Sequence, residues 1–97
     1  MVSKVLRKRA QRAARLFKLV GSPTRTLILA TLQKRRELPV QEIADELGMT
    51  HSAVSHQLSL LGGEKIVTSV KDGRTVRYSV AGNPEAKALS GFLKALM

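Results

Sequence analysis

Apolar positions recur at helical spacing from the start of the chain. Leu6, Ala10, Ala13, Phe17 and Val20 share one face of a helical wheel, and Lys4, Arg7, Lys8, Arg12, Arg15 and Lys18 share the other. That pattern predicts an amphipathic helix over 3–20, stopped at Gly21. Ser22 and Pro23 restart the chain as cap and first-turn residue of a second helix, about 23–34. Its apolar residues Leu27, Ile28, Leu29, Ala30 and Leu32 run almost all round, as expected of a central buried helix. Lys34, Arg35 and Arg36 then meet the negative pole at its end.

A short extended piece at Glu37–Pro39 leads into a third helix, Val40 to Leu47, with Ile43, Ala44 and Leu47 inward. Gly48 suits the left-handed stop, and Thr50 caps a fourth helix running to about Leu61. After Gly62 and Gly63 the period turns from helical to alternating. Val67–Lys71 and Thr75–Val80 read as strands around Asp72-Gly73-Arg74, a strong hairpin signal. Asn83 and Pro84 open a last helix with Ala88, Leu89, Phe92, Leu93 and Leu96 at helical spacing. The order α-α-β-α-α-β-β-α is a winged helix-turn-helix plan, mainly α with a small β-hairpin wing. It forms one domain over 1–97, with the helix-turn-helix at 40–61 and the wing at 67–80.

Charge sharpens this picture. The net charge is +10, and residues 1–36 hold eleven of the seventeen Lys and Arg with no Asp or Glu. A polyanionic partner is implied. Only Phe17, Tyr78 and Phe92 are aromatic, too few rings to stack a single strand, so that mode of binding is poorly supported. With no cysteine there is no disulfide or thiolate ligand. No apolar run reaches the roughly 20 residues of a membrane span. An acid-free, Arg-rich start could be a transit peptide, but its apolar face flows straight into the fold, so a cytoplasmic protein is expected.

In the fourth helix Val54, Leu58 and Leu61 form the docking stripe. Ser52, His56 and Ser59 point the opposite way, with Ser55 on a flank and Thr50 and His51 at the positive end. A helix entering the major groove needs slim hydroxyls, imidazole or amide, and no negative charge. The wing adds Lys71, Arg74 and Arg77 beside Gly73, suited to phosphates or the minor groove.

Other readings stand beside these. His51 and His56 could be solvated polar residues. Ser55 and His56 could suggest nucleophile and base, but adjacent helix residues diverge by about 100° and no third group orients the imidazole. No enzyme is expected, since carboxylate pair, metal motif and phosphate loop are all missing. The basic face of the first helix could be solvated, touch phosphates or lie on a membrane. The last helix's Leu/Phe stripe could be internal core, although in so short a domain a partner subunit is the better cover. Rival functions are a sequence-indifferent architectural DNA coater and a winged-helix module that binds protein.

Residues about 16–80 resemble the ArsR/SmtB family of repressors. The stretches that carry the likeness are LFKLVGSPTRTLILATL, ELPVQEIADELGMTHSAVSHQLSLL and SVKDGRTVRYSV. The resemblance implies a homodimeric, sequence-specific regulator of double-stranded DNA, a repressor on an inverted-repeat operator. It implies that Ser52–Gln57, hence also Gln57, reads DNA while the wing flanks the site. The helices at 3–20 and 84–97 would form the dimer, through Leu6, Ala10, Ala13, Phe17, Leu89, Phe92, Leu93 and Leu96. Two departures matter. Pro39 stands where metal-sensing relatives usually place Cys, and residues 84–97 hold no His and only Glu85. Neither metal site of the family is therefore expected, and no cofactor.

Overall fold

A computed structural model describes residues 1–97. Its elements are α1 (Lys4–Val20), α2 (Pro23–Arg35), β1 (Glu37–Pro39), α3 (Val40–Leu47), α4 (His51–Gly63), β2 (Val67–Asp72), β3 (Thr75–Val80) and α5 (Pro84–Leu96). Four helices begin on a side-chain cap: Ser3 accepts from the Leu6 N–H, Ser22 from Arg25, Thr50 from Ala53 and Asn83 from Ala86. Each cap satisfies an amide that the helix itself leaves free.

The core gathers around α2, whose Ile28, Leu29 and Leu32 are buried. Against it pack Ile43 and Ala44 of α3 and the Val54, Leu58, Leu61 stripe of α4. Ile66, Leu38 and Leu89 extend this cluster to the hairpin base, β1 and α5. Burying each large aliphatic side chain is worth about 1.5–3 kcal/mol, so this one cluster holds α3 and α4 at a fixed angle. The α2 stripe is narrower than its sequence implies, because Leu27 remains half exposed.

Between α3 and α4 the chain turns at Gly48, whose φ is 64°. The Met49 N–H bonds back to the Ala44 carbonyl at 2.9 Å, and the Gly48 N–H to the Asp45 carbonyl at 3.3 Å. Beyond α4 the same pair of bonds recurs, Ile66 N–H to Leu61 and Lys65 N–H to Gly62, both at 3.0 Å. Here the left-handed position falls on Lys65, with φ 62°. The helix therefore runs two residues past Leu61, through Gly62 and Gly63, because the local bonding pattern ends it and the glycines do not.

The wing is part of a three-stranded antiparallel sheet in the order β1-β3-β2. Leu38 pairs with Tyr78 on one side of β3, and Ser69 pairs with Tyr78 on the other. Asp72 pairs with Thr75, so it belongs to the strand, and Gly73-Arg74 alone make the tip. The positive φ of 63° at Gly73 is the first central position of a two-residue hairpin loop, where glycine carries no steric penalty. No helix is long and apolar enough to cross a membrane.

Helix α1 is the exception to the packed body. Only Leu16 and Val20 of its residues are buried. Its first two turns, before Arg12, project outward, which lengthens the molecule to 51 × 28 × 20 Å.

Candidate nucleic-acid interface

Helix α4 docks by Val54, Leu58 and Leu61, and the opposite side is set by helical spacing. Ser52, His56 and Ser59 are exposed there, as expected. No acidic residue occurs from His51 to Gly63. His51 is exposed and Ser55 half-buried at the helix's wing-side flank, where both line a cleft with Arg74, Thr75 and Tyr78. The hydroxyl oxygen of Thr50 is engaged as the cap.

Two residues are placed differently from their sequence reading. Gln57 is half-buried on the flank away from the wing, where its side-chain oxygen accepts from Arg25 Nη1 at 3.0 Å. Arg25 also donates from Nε to the Leu19 carbonyl. The amide of Gln57 is thus tied to the α1–α2 corner and does not stand out with Ser52 and His56. Arg77 lies within β3, paired with Pro39 and Val70, and its Nε is 4.0 Å from a Glu37 carboxylate oxygen. Sheet register carries it away from the tip, leaving Lys71, Gly73 and Arg74 exposed at the wing's end.

A second cluster lies at the C-terminal end of α4. Arg12 pairs with Glu64 at the end of α4 and donates from Nε to Glu85 at 2.8 Å, and from Nη2 to the Glu64 carbonyl at 3.2 Å. Arg15 approaches the same Glu64 carboxylate at 3.7 Å. The Arg12 hydrogen bonds and charge hold the Glu85 carboxyl below the usual carboxylate range, against a smaller opposing effect of desolvation. Sequence reasoning missed this cluster, since its members lie 52 and 73 residues apart.

Of the residues expected at a subunit seam, Leu6, Ala10, Ala13, Phe17, Phe92 and Leu96 are exposed. Phe17 and Phe92 meet edge to face with ring centroids 6.1 Å apart. An open apolar hollow, lined by Ala13, Leu16, Phe17, Ala88 and Leu89, runs between α1 and α5. Leu89 and Leu93 are instead buried in this chain's own core, at 7% and 5% exposure. Beside them Gln33 Nε2 fastens α5 to α2, donating to the Ser90 carbonyl at 2.8 Å.

The model of the bacterial regulatory protein, arsR family, matches residues 22–69. Over 74 residues the chain is 38% identical to a transcriptional repressor SmtB homolog of Synechocystis sp., covering 76% of this chain and 55% of that protein. Over 84 residues it is 38% identical to the HTH-type transcriptional regulator CmtR of Mycobacterium tuberculosis, covering 87% of this chain and 70% of CmtR. Reduced HlyU from Vibrio cholerae superposes with a TM-score of 0.85 at 30% identity, over 97% of each chain. NolR from Sinorhizobium fredii gives 0.83 at 29% identity, over 99% of this chain and 94% of that one.

Proposed function

Because the chain belongs to the arsR family of bacterial regulatory proteins, we propose that it acts as a homodimeric repressor on an inverted-repeat operator. It is a helix-turn-helix transcriptional regulator and not an enzyme. In the proposed complex each α4 enters a major-groove segment, where His51, Ser52, Ser55, His56 and Ser59 meet base edges. Lys71, Gly73 and Arg74 of the wing reach the adjoining backbone. The single observation that carries this reading is the composition of α4's outer face: hydroxyls and imidazole, exposed, without a carboxylate. That surface admits a polyanion and offers donors and acceptors to bases.

Dimerisation would use the α1–α5 face, where Leu6, Phe17, Phe92 and Leu96 lie open to solvent at 49–68% exposure. Side chains of this size exposed together mark an interaction surface. Two copies would set two α4 helices about one duplex turn apart, with half-site centres about 10 bp apart or a multiple of that. A cytoplasmic location follows from the same reading.

Regulation by a metal at the two family positions is not part of this proposal. Pro39 offers no side-chain donor, and both carboxylate oxygens of Glu85 accept from Arg12.

Selection of bound sequences from random duplex DNA at physiological salt tests the whole reading. A two-fold-symmetric consensus is the expected result. Uniform recovery of all sequences would favour an architectural coater, which the abundant free cations of α1 would also suit, and would overturn the repressor reading.

A further inference from the structure

Helix α4 has two flanks, and only one belongs to the wing. His51 and Ser55 face Arg74 and Tyr78 across the cleft on the wing side. Gln57 and Glu64 lie on the opposite flank, against Arg25 and Arg15. There the last turns of α1 and the first turn of α2 form a second groove beside α4, lined by Arg15, Lys18, Leu19, Arg25, Leu60 and Glu64. A major groove is bounded by two phosphate strands about 12 Å apart. A helix seated in it with cations on one side alone would serve a single strand.

We propose that this second groove seats the sugar–phosphate strand opposite the wing, with Lys18, Arg15 and Arg25 as its phosphate contacts. The inference rests on α4 being the DNA-reading helix.

Charge favours this occupant. Three cations line the groove against one carboxylate, Glu64, which is already paired with Arg12. Lys18 is exposed and has no acidic partner. Arg25 is held rigidly by its bonds to Leu19 and Gln57, yet its Nη2 group has no acceptor within the chain. A guanidinium ordered in advance loses little entropy on binding a phosphate. Lys4, Lys8, Gln11, Arg15 and Lys18 also follow one another at alternating spacings of four and three, which aligns them along one edge of α1. The positive edge therefore continues from the groove along the projecting helix. Lys18 in the last turn of α1 would also suit the helix's negative pole. That bland role predicts an effect on stability and none on DNA.

The test uses the full chain on a random-sequence duplex of about 30 bp, with binding followed by fluorescence anisotropy across a salt series. One lost phosphate contact should lower the slope of log K against log salt by about 0.9 and the affinity at 0.15 M salt by about fivefold. Lys18→Gln is expected to do this, Arg74→Gln to do the same, and Lys18→Arg to keep the parent slope. Lys34→Gln, at the far end of α2, should change neither quantity. If Lys18→Gln binds with parent slope while Arg74→Gln loses it, the second groove is refuted and the α4 reading survives. A loss from Lys34→Gln equal to that from Lys18→Gln would mean net charge alone, and also refutes the groove. If neither Lys18→Gln nor Arg74→Gln matters, the DNA reading itself falls.

Discussion

Arg25 holds Gln57 from the flank of α4 away from the wing: its Nη1 donates to the glutamine oxygen at 3.0 Å, across 32 residues of sequence. The bond divides α4's polar residues into those facing out and one facing in. Gln57→Ala should therefore cost about 1 kcal/mol of stability, the net worth of one partly exposed hydrogen bond, with the ratio of specific to random-DNA affinity nearly unchanged. His56→Ala should do the reverse, losing about 1–3 kcal/mol on operator while random-sequence binding persists. Urea titration and paired binding isotherms separate the two. Equal losses of selectivity would place Gln57 among the base readers after all.

Acid should loosen the molecule at Arg12. Glu85 is held below the ordinary carboxylate range chiefly by its hydrogen bonds from Arg12. A carboxylate with a lowered folded-state pKa lends stability at pH above its unfolded value, and that stability is lost as pH falls through the folded pKa. Thermal melts from neutral pH downward should show this loss in the acid limb, and Glu85→Gln should flatten it. An acid limb identical in Glu85→Gln and the parent would show that the pair contributes nothing.

Lys65 occupies a backbone conformation that suits glycine. At φ 62° its Cβ crowds the following carbonyl, while the two flanking hydrogen bonds enforce the turn. Lys65→Gly should raise stability by about 0.5–1 kcal/mol, read as a higher urea midpoint. A lower midpoint would mean that the lysine side chain contributes more than its strain costs.

Phe92→Glu and Leu96→Glu place charge on the open α1–α5 face without touching the core. Sedimentation should then report a monomer, and operator affinity should fall by about 10²-fold or more as the two helices bind independently. A variant that still sediments as a dimer would move the seam elsewhere.

The sequence made the order of elements legible because its signals were local. Ser22, Thr50 and Asn83 cap helices where their spacing placed them, and Gly48 and Gly73 take the positive φ that their turns require. What stayed hidden depends on residues distant in sequence. Leu27 sits within an apolar run but faces away from the core, and Leu89 and Leu93 share a helix with the exposed Phe92 while buried in the chain's own core. Arg77 alternates as a wing residue should, yet β1 pairs with its strand, a contact no hairpin pattern encodes. Gln57 lies in the segment that the family likeness assigns to DNA reading, and only the arrival of Arg25 from α2 turns it inward.

The outstretched first turns of α1 bury no residue within the chain. This arm is held only by its own backbone bonds and the Ser3 cap, whereas most helical stability in a protein comes from packing an amphipathic face. If a second copy supplies the missing cover, association and the final winding of the arm become one event. Operator occupancy would then rise with the abundance of the protein more steeply than simple saturation, so that modest changes in synthesis or turnover switch a promoter without any effector.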